Sequence, residues 1–125
     1  MGCDIHGWVE VNTGIKWVAV NKLKSRERNY SRFAALAGVR EKQSESSAEP
    51  MGMPADVSDT AQYDIEQWGV DGHSHSYMPL VDAAEIFLTT EYNPNGFARK
   101  YPLSEFFDFE QDNADKARLV FWFDS

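Results

Sequence analysis

The sequence predicts an α+β domain with a small antiparallel sheet and several short helices, and three observations carry that prediction. Two alternating apolar/polar segments, 5–11 (IHGWVEV) and 15–20 (IKWVAV), flank the turn signal Asn12-Thr13-Gly14. The most β-like run, 117–123 (ARLVFWF), stands about a hundred residues further on and is continuously apolar, as a strand covered on both faces should be. Between them lie short segments with helical spacing and recognisable caps. A sheet formed by an N-terminal hairpin plus the C-terminal strand follows, within a single domain spanning 1–125.

The elements follow in order. In 5–11, Ile5, Gly7, Val9 and Val11 fall on one side and His6, Trp8 and Glu10 on the other. Residues 21–28 are basic and polar, a loop. In 30–39 (YSRFAALAGV), Phe33, Leu36 and Ala37 have helical spacing, Ser31 is placed to cap the start, and Gly38 marks the end. Residues 41–54, poor in apolar side chains and holding three serines, two prolines and a glycine, read as a surface loop. Ser58 caps a helix over 58–68 with Asp59 in its first turn, an apolar stripe of Ala61, Ile65 and Trp68, and Gly69 as its stop. Residues 70–77 (VDGHSHSY) read as a polar turn or short extended segment. Leu80, Ala84, Phe87 and Leu88 share one side of a helix over 80–88; Asn93-Pro94-Asn95-Gly96 is a turn; Leu103, Phe106 and Phe107 suggest a helical turn after Pro102; 111–116 is a charged connection.

At 42% hydrophobic and 14% aromatic, the chain has the material for a core, which excludes whole-chain disorder, and its composition excludes collagen-like, coiled-coil and disulfide-rich classes. The net charge of −8 argues against direct nucleic-acid binding, which needs a basic footprint. The charge is uneven: residues 1–43 hold eight basic and four acidic side chains, residues 44–125 four basic and sixteen acidic. Either this is a solvated surface that keeps the protein soluble, or an acidic face that meets a basic partner. One cysteine, Cys3, allows no internal disulfide. With no signal-peptide pattern and no apolar run of membrane-spanning length, the expected location is the cytoplasm, with no membrane partner.

Two polar clusters hold all three histidines: Cys3-Asp4-Ile5-His6 and Asp71-Gly72-His73-Ser74-His75-Ser76. In extended conformation Asp4 and His6 share one face, with Cys3 on the other, while Asp71, His73 and His75 share a side. Imidazole and carboxylate together are the ligands of zinc, manganese or iron sites, and equally a base with its orienting partner. The pairs serve just as well as hydrogen-bonded anchors of a strand start and of a turn. Arg28, Arg32 and Arg40 bracket the first helix, with Asn29 and Tyr30 beside them, a set able to hold a phosphate or carboxylate or simply to form a solvated face. The chain contains no H-E-x-x-H, C-x-x-C, G-x-S-x-G or Walker loop.

The opening Met1-Gly2-Cys3-Asp4-Ile5-His6 resembles the start of an uncharacterised family of small proteins from bacteriophages, prophages and bacteria. The resemblance continues in Arg28-Asn29-Tyr30 with Phe33, Leu36, Ala37, Val39 and Arg40, in the stretch from Pro50 to Pro54 with Asp56 and Ser58, and in Gly69 and Asp71-x-His73-Ser74-x-Ser76 leading to Leu80. It spans residues 1–83 and implies a phage-type accessory protein without implying an activity. Its motifs fall on Cys3, Asp4, His6, Arg28, Asn29, Arg40, Asp71, His73 and Ser74, and leave His75 at a variable place.

Three functional expectations result, the third and plainest being a structural accessory protein without catalysis. In the first, His6, His73 and Asp71 are catalytic, Arg28, Asn29, Arg40 and Ser74 hold a small anionic ligand, and a divalent metal sits on Asp4, His6, Asp71 and His73, all in one pocket suited to a phosphoester. In the second, the acidic protein blocks a host nucleic-acid-binding protein in the manner of an anti-defence inhibitor.

Overall fold

The computed structural model describes residues 2–24, 28–39, 49–90, 101–109 and 116–124. The expected turn at 93–96 and Arg40 lie outside these residues, as do most of the 41–54 loop and of the 111–116 connection. Four strands, β1 (Asp4–Asn12), β2 (Trp17–Lys22), β3 (Gly72–Pro79) and β4 (Ala117–Asp124), form an antiparallel sheet in the order β2-β1-β4-β3. Three helices, α1 (Tyr30–Ala37), α2 (Asp59–Trp68) and α3 (Leu80–Thr89), pack on it, with 3₁₀ turns at Gly69–Asp71 and Leu103–Glu105.

The hairpin and the pairing of the last strand beside it follow the sequence reading. The Asn12 side chain accepts from Gly14 N–H, and β1 pairs with β4 from Asp4↔Asp124 to Val11↔Ala117. β4 is buried along its whole apolar run, as its lack of alternation requires. Alternation decides what covers each face. Ala117, Leu119, Phe121 and Phe123 join Cys3, Ile5 and Val9 of the first segment against Phe33, Leu36, Ala83 and Phe87 of α1 and α3, forming the inner core. Arg118, Val120, Trp122 and Asp124 point to the outer face, beneath α2. Gly7 lies on the inner side of β1 opposite Phe121, where a Cβ would come 2.6 Å from the Val120 carbonyl oxygen, so only glycine lets the two central strands approach.

The helices use the expected stops and one unexpected start. Gly38 ends α1 in the left-handed conformation and Ser58 caps α2 by accepting from Ala61 N–H. The cap of α1 is Asn29, two residues before Ser31: its side-chain Oδ1 accepts from Arg32 N–H at 3.1 Å, and Asn29 is buried while Ser31 is exposed. The fourth strand, β3, occupies most of the segment read as a polar turn or short extended piece. Its own sequence is polar, but β4 offers a full edge for pairing, from Gly72↔Asp124 to Pro79↔Arg118. On α3, Leu80, Ala84 and Phe87 are buried as expected, whereas Leu88 is 59% exposed. Among the described residues no helix is long and apolar enough to cross a membrane.

Candidate functional site

The register of three strands determines where the flagged residues go. Asp4 and Gly72 both pair with Asp124, so the start of β1, the start of β3 and the end of β4 lie side by side. The entry to α1 joins them, because Tyr30 OH accepts from Cys3 N–H and Arg28 reaches Asp4. Asp4, His6, Arg28, Asn29, Asp71, His73 and Ser74 therefore collect at one end of the sheet. They do not share one pocket, because the sheet itself divides them.

His6 pairs with Trp122 and lies on the outer face, its ring 4.2 Å from that of Trp68 and 6.2 Å from that of Trp122. His73 pairs with Phe123 and lies on the inner face, its ring 6.3 Å from that of Phe123. The expectation that His73 and His75 share a side also fails. β3 spends three steps from His73 to Ser76 where β4 spends two from Phe123 to Phe121. This bulge is made at Ser74, whose φ is +55°. The extra residue turns His75 outward, where its ring stacks over Trp122 at 6.3 Å and 22°. Asp71 is exposed in the 3₁₀ turn before the strand. Neither a common catalytic centre of His6, His73 and Asp71 nor a metal centre of Asp4, His6, Asp71 and His73 is assembled: among the described residues no group of three His, Cys, Asp or Glu side chains is placed to hold a metal ion.

Local charge chemistry explains what each of these residues does instead. Asp4 and Arg28 form a two-pronged ion pair, Nε to Oδ1 at 2.9 Å and Nη2 to Oδ2 at 3.1 Å. The Arg28 hydrogen bond holds the Asp4 carboxyl below its ordinary pKa, and Asp4 raises that of Arg28 in return. Each thus engages the group that a metal or an anion would otherwise meet. Asn29 commits its side-chain Oδ1 to the cap of α1 rather than to a ligand. The Ser74 hydroxyl pairs with His73 Nδ1 at 2.9 Å. Arg32, expected in an anion-binding set, is buried between Phe87 and Phe106 and donates to the carbonyls of Phe87 and Thr90 at the end of α3. Cys3 is fully buried in the core.

One dyad remains. His6 Nε2–H donates to Asp124 Oδ2 at 3.2 Å, and Asp124 Oδ1 accepts from Asp4 N–H at 3.1 Å. The side chains are 18% and 22% exposed. An imidazole oriented by a carboxylate is the working part of a general acid–base site. Asp124 was not singled out in the sequence. Its position directly after the ARLVFWF run was the available signal, since a carboxylate ending a central strand must lie beside the polar ends of its neighbours.

A second polar network also escaped the sequence reading. Glu10, fully buried, accepts from Arg118 Nε at 2.7 Å and from Ser58 N–H at 2.8 Å. Arg118 continues to Asp56 Oδ1 at 3.1 Å and lies 3.9 Å over the Trp17 ring. Its hydrogen bond holds the Asp56 carboxyl below the ordinary value. Trp8 Nε1–H donates to Asp64 of α2 at 2.9 Å. The signal was a lone acid and a lone base, each at an outward position in an otherwise apolar strand. Deeper on the same face, His75 Nε2 and Trp122 Nε1 are buried without hydrogen-bond partners, and burial lowers the His75 pKa, helped by the neighbouring His73 charge. No family model, curated protein or solved structure matches this chain.

Proposed function

We propose that the protein acts by binding, presenting an acidic helical layer to a partner protein with a basic surface of the kind that holds nucleic acid. The observation that carries this reading is the fate of the arginines. Arg32 and Arg118 are buried and Arg28 is paired with Asp4, so none of the three contributes an unpaired cation to the surface. The acids Asp59 and Glu66 of α2, Asp71, Asp82 and Glu85 of α3, and Asp108 stay exposed. Among the described residues from 49 onward, Lys116 is the only exposed base. The same pairings engage the acids Asp4, Glu10 and Asp56, so folding keeps the net acidic surplus of the sequence, and a field of one sign favours partners of the other. The opening hexapeptide suggests a phage-type accessory protein, and occupying the basic groove of a host protein is the activity proposed for it.

The test is capture of partners from bacterial lysate on the immobilised protein. The expected partner is released as salt is raised and is displaced by DNA or RNA competing for the same groove. Capture indifferent to both, or no capture, overturns the reading.

A second reading rests on the hydrogen bond between His6 and Asp124. A carboxylate-oriented imidazole suits proton transfer to or from a small phosphoester. A panel of phosphomonoesters and phosphodiesters tests it: turnover lost in His6→Gln and Asp124→Asn supports it, and no turnover by the unaltered protein ends it.

A further inference from the structure

α3 carries two apolar stripes, and the fold uses only one. Leu80, Ala83, Ala84 and Phe87 turn inward to the core. Val81 and Leu88, seven residues apart and so on one line of the helix, point to solvent at 50% and 59% exposure. A surface helix ordinarily needs a single apolar stripe. Here the second one borders a groove of about 550 Å³ whose far wall is Leu103 and Phe109 from the 101–109 segment, with Ala84 and Glu85 in its lining. Of the acids in the two chain segments that form it, 80–90 and 101–109, Glu85 lines the groove and Asp82 is exposed on the same helix, and neither segment holds a lysine or arginine.

We infer that this groove docks an amphipathic helix of the partner, with apolar side chains at i, i+3 or i+4 and i+7 and lysines or arginines along its flanks. The inference rests on the acidic-binding reading and gives it a place. Charge complementarity selects the occupant: an acidic helix would meet Asp82 and Glu85, whereas basic flanks meet them favourably. Length agrees as well, since the line from Val81 to Leu88 is about 10 Å, two helical turns. Apolar anchors in such a groove supply affinity, and the charged rim supplies orientation and rate.

The probe is a labelled helical peptide of leucine and lysine, about four turns long, in that repeat. Its controls are the same repeat with glutamate for lysine, and a lysine–serine peptide without leucine. Binding is read by fluorescence anisotropy. The leucine–lysine peptide is expected to bind, to weaken with salt, and to lose about tenfold or more in affinity in Leu88→Asp and Val81→Asp. These variants add negative charge, so a purely electrostatic contact would tighten instead. Leu88→Gln, neutral and at an exposed site, repeats the test, and unchanged urea midpoints show that the variants remain folded. Equal binding by the unaltered protein and Leu88→Asp overturns the groove. If lysate capture then stays salt-sensitive in Leu88→Asp, the acidic reading survives without it. Peptide binding that is lost in Leu88→Asp but indifferent to salt and to Asp82→Lys with Glu85→Lys overturns the basic character of the occupant.

Discussion

Both faces of β4 are buried from Ala117 to Phe123 and closed by opposite chemistry. On the inner side, Leu119, Phe121 and Phe123 meet α1 and α3 through apolar contacts, including edge-on packing of Phe123 against Phe33 at 5.1 Å. On the outer side, Arg118, Trp122 and Asp124 meet Glu10, Asp56, His75 and His6. Apolar packing is tolerant of detail, because any well-shaped hydrocarbon serves. A buried polar face is sensitive to the loss of a partner, because each stranded charge or N–H carries its own desolvation cost. The outer face should therefore fail through loss of a partner, and the inner face through loss of volume.

The largest expected effect breaks the outer face. Arg118→Met leaves Glu10 buried and unpaired and should cost about 4 kcal/mol, much of the stability of a domain this size. Adding Glu10→Leu should restore most of it, leaving about 1 kcal/mol for the Ser58 N–H deprived of its acceptor. Urea unfolding of the single and double variants measures both. If the double variant is no more stable than Arg118→Met, the stranded charge is not the cause.

The matching change on the inner face is Leu119→Ala, fully buried, with an expected cost of about 3 kcal/mol. A larger side chain placed opposite should recover part of that loss by filling the cavity. Removing a charge elsewhere should recover none, and a salt series of urea midpoints should leave the difference between Leu119→Ala and the parent unchanged.

How far the sequence could be read follows the same division. The inner face was legible: alternation in 5–11, the unbroken apolar run 117–123 and the glycine stops of α1 and α2 each depend on neighbours in the chain, and the sheet placed them as expected. The outer face was not. Glu10 and Arg118 are separated by 108 positions, and only the register of β1 on β4 makes them partners. The candidate site failed in the same way. That His6 and His73 come to one end of the sheet follows from strand pairing, but that they occupy opposite faces depends on the phase of each strand on β4. The expectation for His75 failed on a bulge at Ser74, which no periodicity announces. Arg28 and Asp4 were both visible as charged, but not as each other's partner.

A smaller change sharpens the comparison at the edge of the outer face. Trp8→Phe keeps an aromatic ring, though a smaller one, and removes the bond from Nε1 to Asp64, which fastens α2 to β1. The site is only partly buried, so water replaces some of what is lost, and the expected cost is about 1 kcal/mol. Hydrogen exchange should rise first in the amides of α2 and leave those of β4 protected.

The smallest expected effect is a pH dependence confined to the outer face. Burial lowers the pKa of His75 in the folded protein, so the unfolded chain binds its proton first as pH falls. The neutral ring is fully compatible with folding above the unfolded histidine value of about 6.5, and stability is lost as pH drops from there through the lower folded value. Urea midpoints should therefore decline from about pH 7 toward pH 5. His75→Phe keeps a ring over Trp122, removes the titration and should flatten that interval. A second decline, below about pH 4, belongs to Asp4 and Asp56, whose depressed values make their charged forms the ones that favour folding; it should persist in His75→Phe. Because His73 also disfavours the charged form of His75, His73→Gln should shallow the upper decline without abolishing it. An upper decline unchanged in His75→Phe would place the titrating group elsewhere than His75.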